Sequence, residues 1–325
     1  MTKQDLRIVF FGTPDFAVES LRAIVDAGFN VVGVVTMPDK PAGRGHKMFS
    51  SPVKIFAQEH GLKLMQPVKL KDPQFVDELR VLEADLFIVI AFRMLPEVVW
   101  QMPRLGTFNL HASLLPKYRG AAPINWAVIN GETQSGVTTF FLKHEIDTGD
   151  IIQQEAVEIT PEDNAGTLHD KLMELGARLT VDTIEHIVNG DLKTISQDSL
   201  LGGNEPTPAP KIFHETCMID WTKPAEYVHN LVRGLSPYPA ARATVDADNS
   251  APFEMKIFKT RVDSTRRTGT SGSIEIEDGK MFVSCGDVAI ELLEIQPTGK
   301  KRMSTDAWLR GARLVNPRMI ISDNS

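Results

Sequence analysis

Asn109 and His111 stand two residues apart, directly after Gly106-Thr107-Phe108. In a strand, side chains alternate between faces, so the amide and the imidazole point the same way while Leu110 points into the core. Pro116 and Gly120 then stop regular structure. An amide donor beside an imidazole, a ring that titrates near neutrality, suits a reaction that builds negative charge on an oxygen while a nucleophile gives up a proton. Further along, His144 to Asp150 make a turn dense in acids. Its Asp147 either orients the imidazole, as the acid of a triad does, or caps its own turn. The bland reading of Asn109 and His111 is a pair of satisfied polar residues at a strand end. Ser113 is a poor nucleophile because it lies outside a Gly-x-Ser-x-Gly setting. No His/Cys/Asp cluster has ligand spacing, so no metal is expected.

The elements that must hold these groups read as alternating strands and helices. Leu6 to Phe11 is a short apolar run closed by Gly12-Thr13-Pro14, as expected of a strand buried on both faces. A helical pattern follows through Phe16, Leu21, Ile24 and Val25 to Gly28, and Val31 to Val35 completes a β-α-β unit. Gly12-Thr13-Pro14 is not the Gly-x-Gly-x-x-Gly of a dinucleotide site, and no acid ends the second strand. Further helices are expected at Pro52–His60, Pro73–Leu82 and Leu95–Met102. Further strands are expected at Leu62–Leu64 and at Ala84–Ala91, the most apolar run in the chain. The alternation predicts a mostly parallel sheet with a ligand crevice at the carboxyl ends of its strands, where Asn109 and His111 fall. Beyond Gly120 the pattern predicts a helix through Trp126 to Gly131, a hairpin of Val137–Leu142 and Ile151–Ile159, and a long helix from Asp163 to Asn189.

Between Thr36 and Ser51 the chain is rich in Pro and Gly and carries Lys40, Arg44 and Lys47. It reads as neither helix nor strand, and loops of this length are usually functional or disordered. It is either a solvated surface loop or a flap that grips phosphate with three cations, its glycines letting the backbone approach closely.

At 325 residues the chain is long enough for two domains. The net charge of −7 exerts no global pull on nucleic acid, so a polyanion would need a local basic patch. Cys217 and Cys285 lie far apart, which argues against a disulfide framework and fits a reducing compartment. The apolar run near the start is too short for a signal peptide or membrane helix, so a cytoplasmic protein with no membrane partner is expected. Leu201 to Pro210 has the composition of a linker. The expected division is a catalytic domain at 1–200, a linker at 201–211 and a second domain at 212–325. After a helix at Pro224–Arg233, short strands at Ala243–Val245, Met255–Phe258, Gly272–Ile276, Lys280–Ser284 and Val288–Leu293 suggest a small β-barrel. From Ser250 onward, twelve Lys/Arg against ten Asp/Glu make this part mildly basic. Lys256, Lys259, Arg261, Arg266, Arg267, Lys300, Lys301 and Arg302 either follow a phosphate backbone or form an ordinary solvated surface.

Taken together, Asn109-x-His111-x-Ser113-Leu114-Leu115-Pro116, then Arg119-Gly120, Pro123 and Asp147-x-Gly149-Asp150, resemble the formyltransferases that use 10-formyltetrahydrofolate. The loop from Lys40 to Gly45 and Ile219-Asp220-Trp221 extend the resemblance over essentially the whole chain. It implies an α/β fold: a Rossmann-like, mostly parallel sheet domain followed by a smaller OB-like β-barrel domain. It implies a catalytic trio of Asn109, His111 and Asp147. Folate contacts are implied at Ser113, Leu114, Leu115 and Pro116, with the pterin near the Asp147 turn and the strand end at Ile90. The formyl donor is then 10-formyltetrahydrofolate, with no metal, and a monomer is expected. The loop around Arg44 would contact a tRNA acceptor stem, with Lys40, Lys47, Lys300 and Lys301 as further contacts. The implied acceptor is the α-amine of methionyl-initiator tRNA, in translation initiation. A small amine, such as a sugar nucleotide or glycinamide ribonucleotide, is the alternative acceptor. A third reading, a non-catalytic RNA-binding protein, sits poorly with an intact trio. The chemistry agrees with formyl transfer: His111 takes the amine proton, Asn109 donates to the formyl oxygen, and Asp147 orients the imidazole and stabilises its charged form.

Overall fold

The first apolar run forms strand β1 (Arg7–Gly12), and Ile8 to Phe11 have no exposed surface. A run without polar alternation needs cover on both faces. The elements that follow are α1 (Asp15–Asp26), β2 (Asn30–Val35), β3 (Lys40–Ala42), β4 (Lys47–Phe49), α2 (Pro52–Glu59), β5 (Leu64–Met65), α3 (Pro73–Val81), β6 (Leu86–Ile90), α4 (Glu97–Trp100) and β7 (Thr107–His111). Helix starts follow local rules. The Ser51 hydroxyl accepts from the Lys54 N–H at 3.1 Å, and the Asp72 carboxylate accepts from the Gln74 N–H at 3.0 Å, each just before a proline in the first turn. The chain continues through β8 (Arg119–Gly120), α5 (Pro123–Ile129), β9 (Gln134–Phe141), β10 (Ile151–Glu158), α6 (Ala165–Asn189), α7 (Gln197–Leu201) and β11 (Pro208–Ala209). This computed structural model describes residues 2–42, 47–267 and 269–321. Among them no helix is long and apolar enough to cross a membrane.

Contacts divide the chain into two units. The first comprises Met1–Ala121, Gln134–Glu158 and His169–Ala209; the second comprises Ala122–Thr133, Ile159–Leu168 and Pro210–Ser325. In the first, seven strands form one sheet in the order β10-β9-β7-β6-β1-β2-β5. β5, β2, β1, β6 and β7 are parallel, and β9 and β10 add an antiparallel edge. The strand order reverses at β1, because β2 lies on one side of it and β6 on the other. That switch point opens a crevice at the strands' carboxyl ends. β7 pairs with β6, Val89 opposite Asn109 and Ile90 opposite Leu110, which brings Asn109 and His111 to the carboxyl edge.

The stretch from Met37 to Lys47, expected to hold no strand, instead carries a short ladder at its base. Lys40 pairs with Phe49, Pro41 with Met48 and Ala42 with Lys47. The Asp39 carboxylate anchors that base by accepting from the Lys54 ammonium and from the Gln66 amide. The same two donors hold its carboxyl below the usual carboxylate range. Arg44 lies outside the described residues.

The second unit continues through α8 (Ala225–Leu235), β12 (Ala241–Ala247), β13 (Ser250–Arg267), β14 (Ile274–Glu277), β15 (Lys280–Ser284), β16 (Val288–Pro297), β17 (Met303–Ser304), α9 (Thr305–Leu309) and β18 (Arg318–Met319). The order is β14-β15-β16-β13-β12-β18, antiparallel, with β17 beside β16. A bridge from Ser273 to Arg318, and the Met319 N–H donating to the Gly272 carbonyl at 2.7 Å, bring the two edges together into a nearly closed barrel. Its core holds Trp221, Ile257, Ile290 and Ile295 with Val228, Leu231, Val232 and Leu235 of α8. The strand expected at Met255–Phe258 is the middle of β13, eighteen residues long. Register shifts at Ile257/Lys259, Lys259/Thr260 and Asp263/Arg267 bend it, as bulges do. One strand thereby pairs with both β12 and β16.

Candidate active site

His111 ends β7 and is 7 % exposed. Its Nε2 lies 2.8 Å from the Tyr118 carbonyl oxygen. A carbonyl only accepts, so Nε2 carries the hydrogen and the neutral ring presents its lone pair at Nδ1. Nδ1 lies 3.8 Å from Asp147 Oδ2. That distance is beyond a hydrogen bond but well inside strong electrostatic reach. The expected triad arrangement, in which the acid holds the ring, is therefore replaced: Tyr118 orients the imidazole from one side, and Asp147 faces the nitrogen that can take a proton. The edge of Phe140 meets the ring at 85° with centroids 6.4 Å apart.

The turn carrying Asp147 is fixed by backbone geometry. Asp147 itself has φ +55, and Tyr118 and Ala91 have φ +62 and +47. Left-handed backbone at L residues persists only where neighbours enforce it, and such residues gather at functional sites. The Asp147 Oδ2 accepts from the Gly120 N–H at 2.9 Å. A side chain at Gly149 would place its Cβ 1.5 Å from the Phe141 carbonyl oxygen, so only glycine fits there. Gly120, at φ +125, would meet the Ala209 carbonyl oxygen at 2.6 Å, because β8 runs parallel beside β11. The Tyr118 N–H donates to the Thr207 carbonyl at 2.7 Å. The stretch expected as a linker thus contributes a strand against the loop that follows His111.

Asn109 is half-buried, and among the described residues no hydrogen bond ties down its amide. Its donor is free to face a ligand at the strand end; Ala91, one residue past the end of the neighbouring β6, is exposed. The segment Ser113–Pro116 is strapped from behind. The Ser113 hydroxyl donates to the Lys117 carbonyl at 2.7 Å, the Thr138 hydroxyl to the Ser113 carbonyl at 2.6 Å, and the Gln154 amide to the Leu115 carbonyl at 2.7 Å. Ser113, Leu115 and Ile90 bury their side chains, which leaves backbone groups for any ligand contact, whereas Leu114 and Pro116 are partly exposed. Thr138, Gln154 and Gln197, which hold this apparatus together, carry no signal in sequence because they sit singly on three separate elements.

Among the expected phosphate contacts, Lys40, Lys300 and Lys301 are exposed. Arg261 is paired with Glu291, Arg302 with Glu294, and Arg266 with both Glu275 and Glu277. Their charge is met by carboxylates within the barrel, as on the ordinary surface that was one of the two readings open for them. Among the described residues no group of three His, Cys, Asp or Glu could hold a metal ion.

An unengaged amide, an imidazole with a free nitrogen and a carboxylate beside it can together stabilise an oxyanion and accept a proton. Comparison with known proteins gives this arrangement its context. The formyl transferase model matches residues 6–184, and the model for the formyl transferase C-terminal domain matches residues 211–313. A methionyl-tRNA formyltransferase of Bacteroides fragilis is 57 % identical over 316 residues, covering 97 % of each chain. One of Bacteroides thetaiotaomicron is 56 % identical, covering 97 % of this chain and 98 % of its own. Among solved structures, WlaRD, a sugar 3N-formyl transferase determined in the presence of dTDP and 5-N-formyl-THF, superposes with a TM-score of 0.65 at 22 % identity, over 91 % of this chain and 99 % of its own. At that identity the likeness speaks to fold, whereas the full-length matches at more than half identity speak to kinship, and on these grounds the chain belongs to the formyl transferase family.

Proposed function

We propose that this chain transfers a formyl group from 10-formyltetrahydrofolate to the α-amine of methionyl-initiator tRNA, for translation initiation. The observation that supports the reading is the His111 Nδ1 facing the Asp147 carboxylate at 3.8 Å at the carboxyl end of β7, the strand that also carries Asn109 two residues earlier. As the amine attacks the formyl carbon, Nδ1 takes its proton; when the tetrahedral intermediate collapses, the bond from the formyl carbon to the folate N10 breaks and Nδ1 returns the proton to that leaving nitrogen. Asp147, 3.8 Å away, stabilises the cation that forms. The Asn109 amide donates to the formyl oxygen as charge builds there; one such donor is worth about 3–4 kcal/mol in the transition state. No acyl-enzyme is needed, and Ser113 has its hydroxyl committed to Lys117. The folate lies along Ser113–Pro116, with its pterin between the Asp147 turn and the end of β6 at Ile90. The unengaged Asn109 amide on the same edge supports this placement of the donor.

The acceptor is the larger one. The relatives that match along the whole chain are named for methionyl-tRNA, whereas the sugar-acting neighbour shares only about a fifth of its residues. Residues 1–200 carry the chemistry and 212–325 grip the tRNA, with Lys40, Arg44 and Lys47 on the flap and Lys300 and Lys301 on the barrel. The test is to mix the purified protein with 10-formyltetrahydrofolate and either charged initiator tRNA, a dTDP-amino sugar or glycinamide ribonucleotide. Formylmethionine on the tRNA is expected. Formylation of a small amine alone overturns the acceptor, and no product with any of them overturns the enzyme.

A further inference from the structure

Gln197 opens α7, fifty residues beyond Asp147, and is 1 % exposed. Its amide makes four hydrogen bonds. Nε2 donates to the carbonyl oxygens of Asp147 and Gly149, at 2.9 and 2.8 Å. Oε1 accepts from Nε and Nη2 of Arg119, at 2.9 and 2.7 Å. An amide has two N–H donors and two lone pairs, so its capacity is filled. The partners also settle which end is oxygen, since carbonyls only accept and a guanidinium only donates. Gln197 is brought there by the residues before it: Ile195 and Ile151 exchange N–H···O bonds of 2.8 and 2.9 Å at the start of β10.

Both arms of this clamp end on the transfer site. One holds the left-handed turn that presents Asp147. The other holds Arg119, which sits between Tyr118, whose carbonyl orients His111, and Gly120, whose N–H holds the Asp147 carboxylate. Among the described residues no hydrogen bond or ion pair joins Gln197 or Arg119 to His111 or to the Asp147 carboxylate. We propose that Gln197, with Arg119, is a positioning pair that sets the Asp147 carboxylate against the His111 Nδ1 and thereby governs the rate of proton removal. This rests on the reading of His111 and Asp147 as the site of formyl transfer.

The test uses the full chain with charged initiator tRNA and 10-formyltetrahydrofolate. Gln197→Ala removes the clamp; Gln197→Glu keeps its size and its acceptors for Arg119 but removes both donors to the turn. Each is made alone and in an Asp147→Asn background. Gln197→Ala should lower kcat about 10- to 100-fold, as small misplacements of reacting groups do. KM for either substrate should stay within about threefold of the parent. Gln197→Glu should lower kcat by about tenfold or more on the same ground. In the Asp147→Asn background the further loss should be under about twofold, because the group being positioned no longer acts. Melting temperatures are measured in parallel: a role in folding alone lowers them in both backgrounds and leaves the kcat of folded protein unchanged. Parental kcat in folded Gln197→Glu, or an equal loss from Gln197→Ala in both backgrounds, overturns the inference. Parental turnover in Asp147→Asn by itself would instead overturn the reading of the site beneath it.

Discussion

Replacing Asp147 by Asn isolates one electrostatic term. The amide keeps the carboxylate's shape and an oxygen to accept the Gly120 N–H, so the turn is retained. What is lost is a negative charge 3.8 Å from the His111 Nδ1, with both side chains largely shielded from water. At an effective dielectric of about 20, unit charges at this separation attract by about 4 kcal/mol. If the proton is only half transferred in the transition state, about 2 kcal/mol of that is expressed; if fully transferred, all of it. The expected loss in the chemical step is therefore between about 30-fold and about 900-fold. Single-turnover formylation of charged initiator tRNA measures this step directly, with folate affinity and melting temperature as controls that should stay near the parent. The loss should be similar at low and high salt, because a shielded pair is screened little. Turnover within about threefold of the parent would mean that Asp147 does not stabilise a cation on His111, and the proton would have to leave by another route.

Three further outcomes are expected. Gly149→Ala should destabilise the fold by about 3 kcal/mol or more, since its Cβ would sit 1.5 Å from the Phe141 carbonyl oxygen; a thermal melt and kcat both like the parent's would show that the turn can move. Lys300→Ala and Lys301→Ala together should reduce the salt dependence of tRNA binding by one to two contacts' worth, whereas Arg302→Ala, whose guanidinium is held by Glu294, should change it less. A salt titration of KM for tRNA that ranks them the other way refutes the assignment. Burial pushes the Cys285 thiol from 9.0 up to about 12. A folded value above the unfolded one means that this contribution is complete below pH 9.0 and is lost as pH rises toward about 12. Urea midpoints should fall over that window and fall less in Cys285→Ala, and a thiol reagent should label Cys285 only on unfolding.

Periodicity and punctuation were enough to place most elements. The strand through Thr107–His111, the helices headed by Pro52 and Pro73, and the hairpin around Asp147 all follow from patterns a few residues long, because side-chain alternation and helix starts are local properties. The pairing of Asn109 with His111 was legible for the same reason. The second barrel strand runs beyond its apolar pattern, because its polar stretch from Lys259 to Arg267 is a continuation held by bulges and by neighbours far along the chain. The short ladder of β3 and β4 leaves no trace in the sequence, because two or three residues carry too little pattern to announce a strand.

The amino-acid order determined which side chains are available at the site and that Asn109 and His111 share a face. The tertiary structure alone decided that the Tyr118 carbonyl, not the acid, holds the imidazole, and that Asp147 faces the remaining nitrogen. It also decided that Gln197 and Arg119 clamp that turn, and that Glu291 and Glu294 claim the charge of Arg261 and Arg302. These are choices of partner made across chain separations that no spacing rule encodes. A buried polar group takes whichever complementary group the packed chain brings within reach, and that is settled only when the whole domain has closed around it.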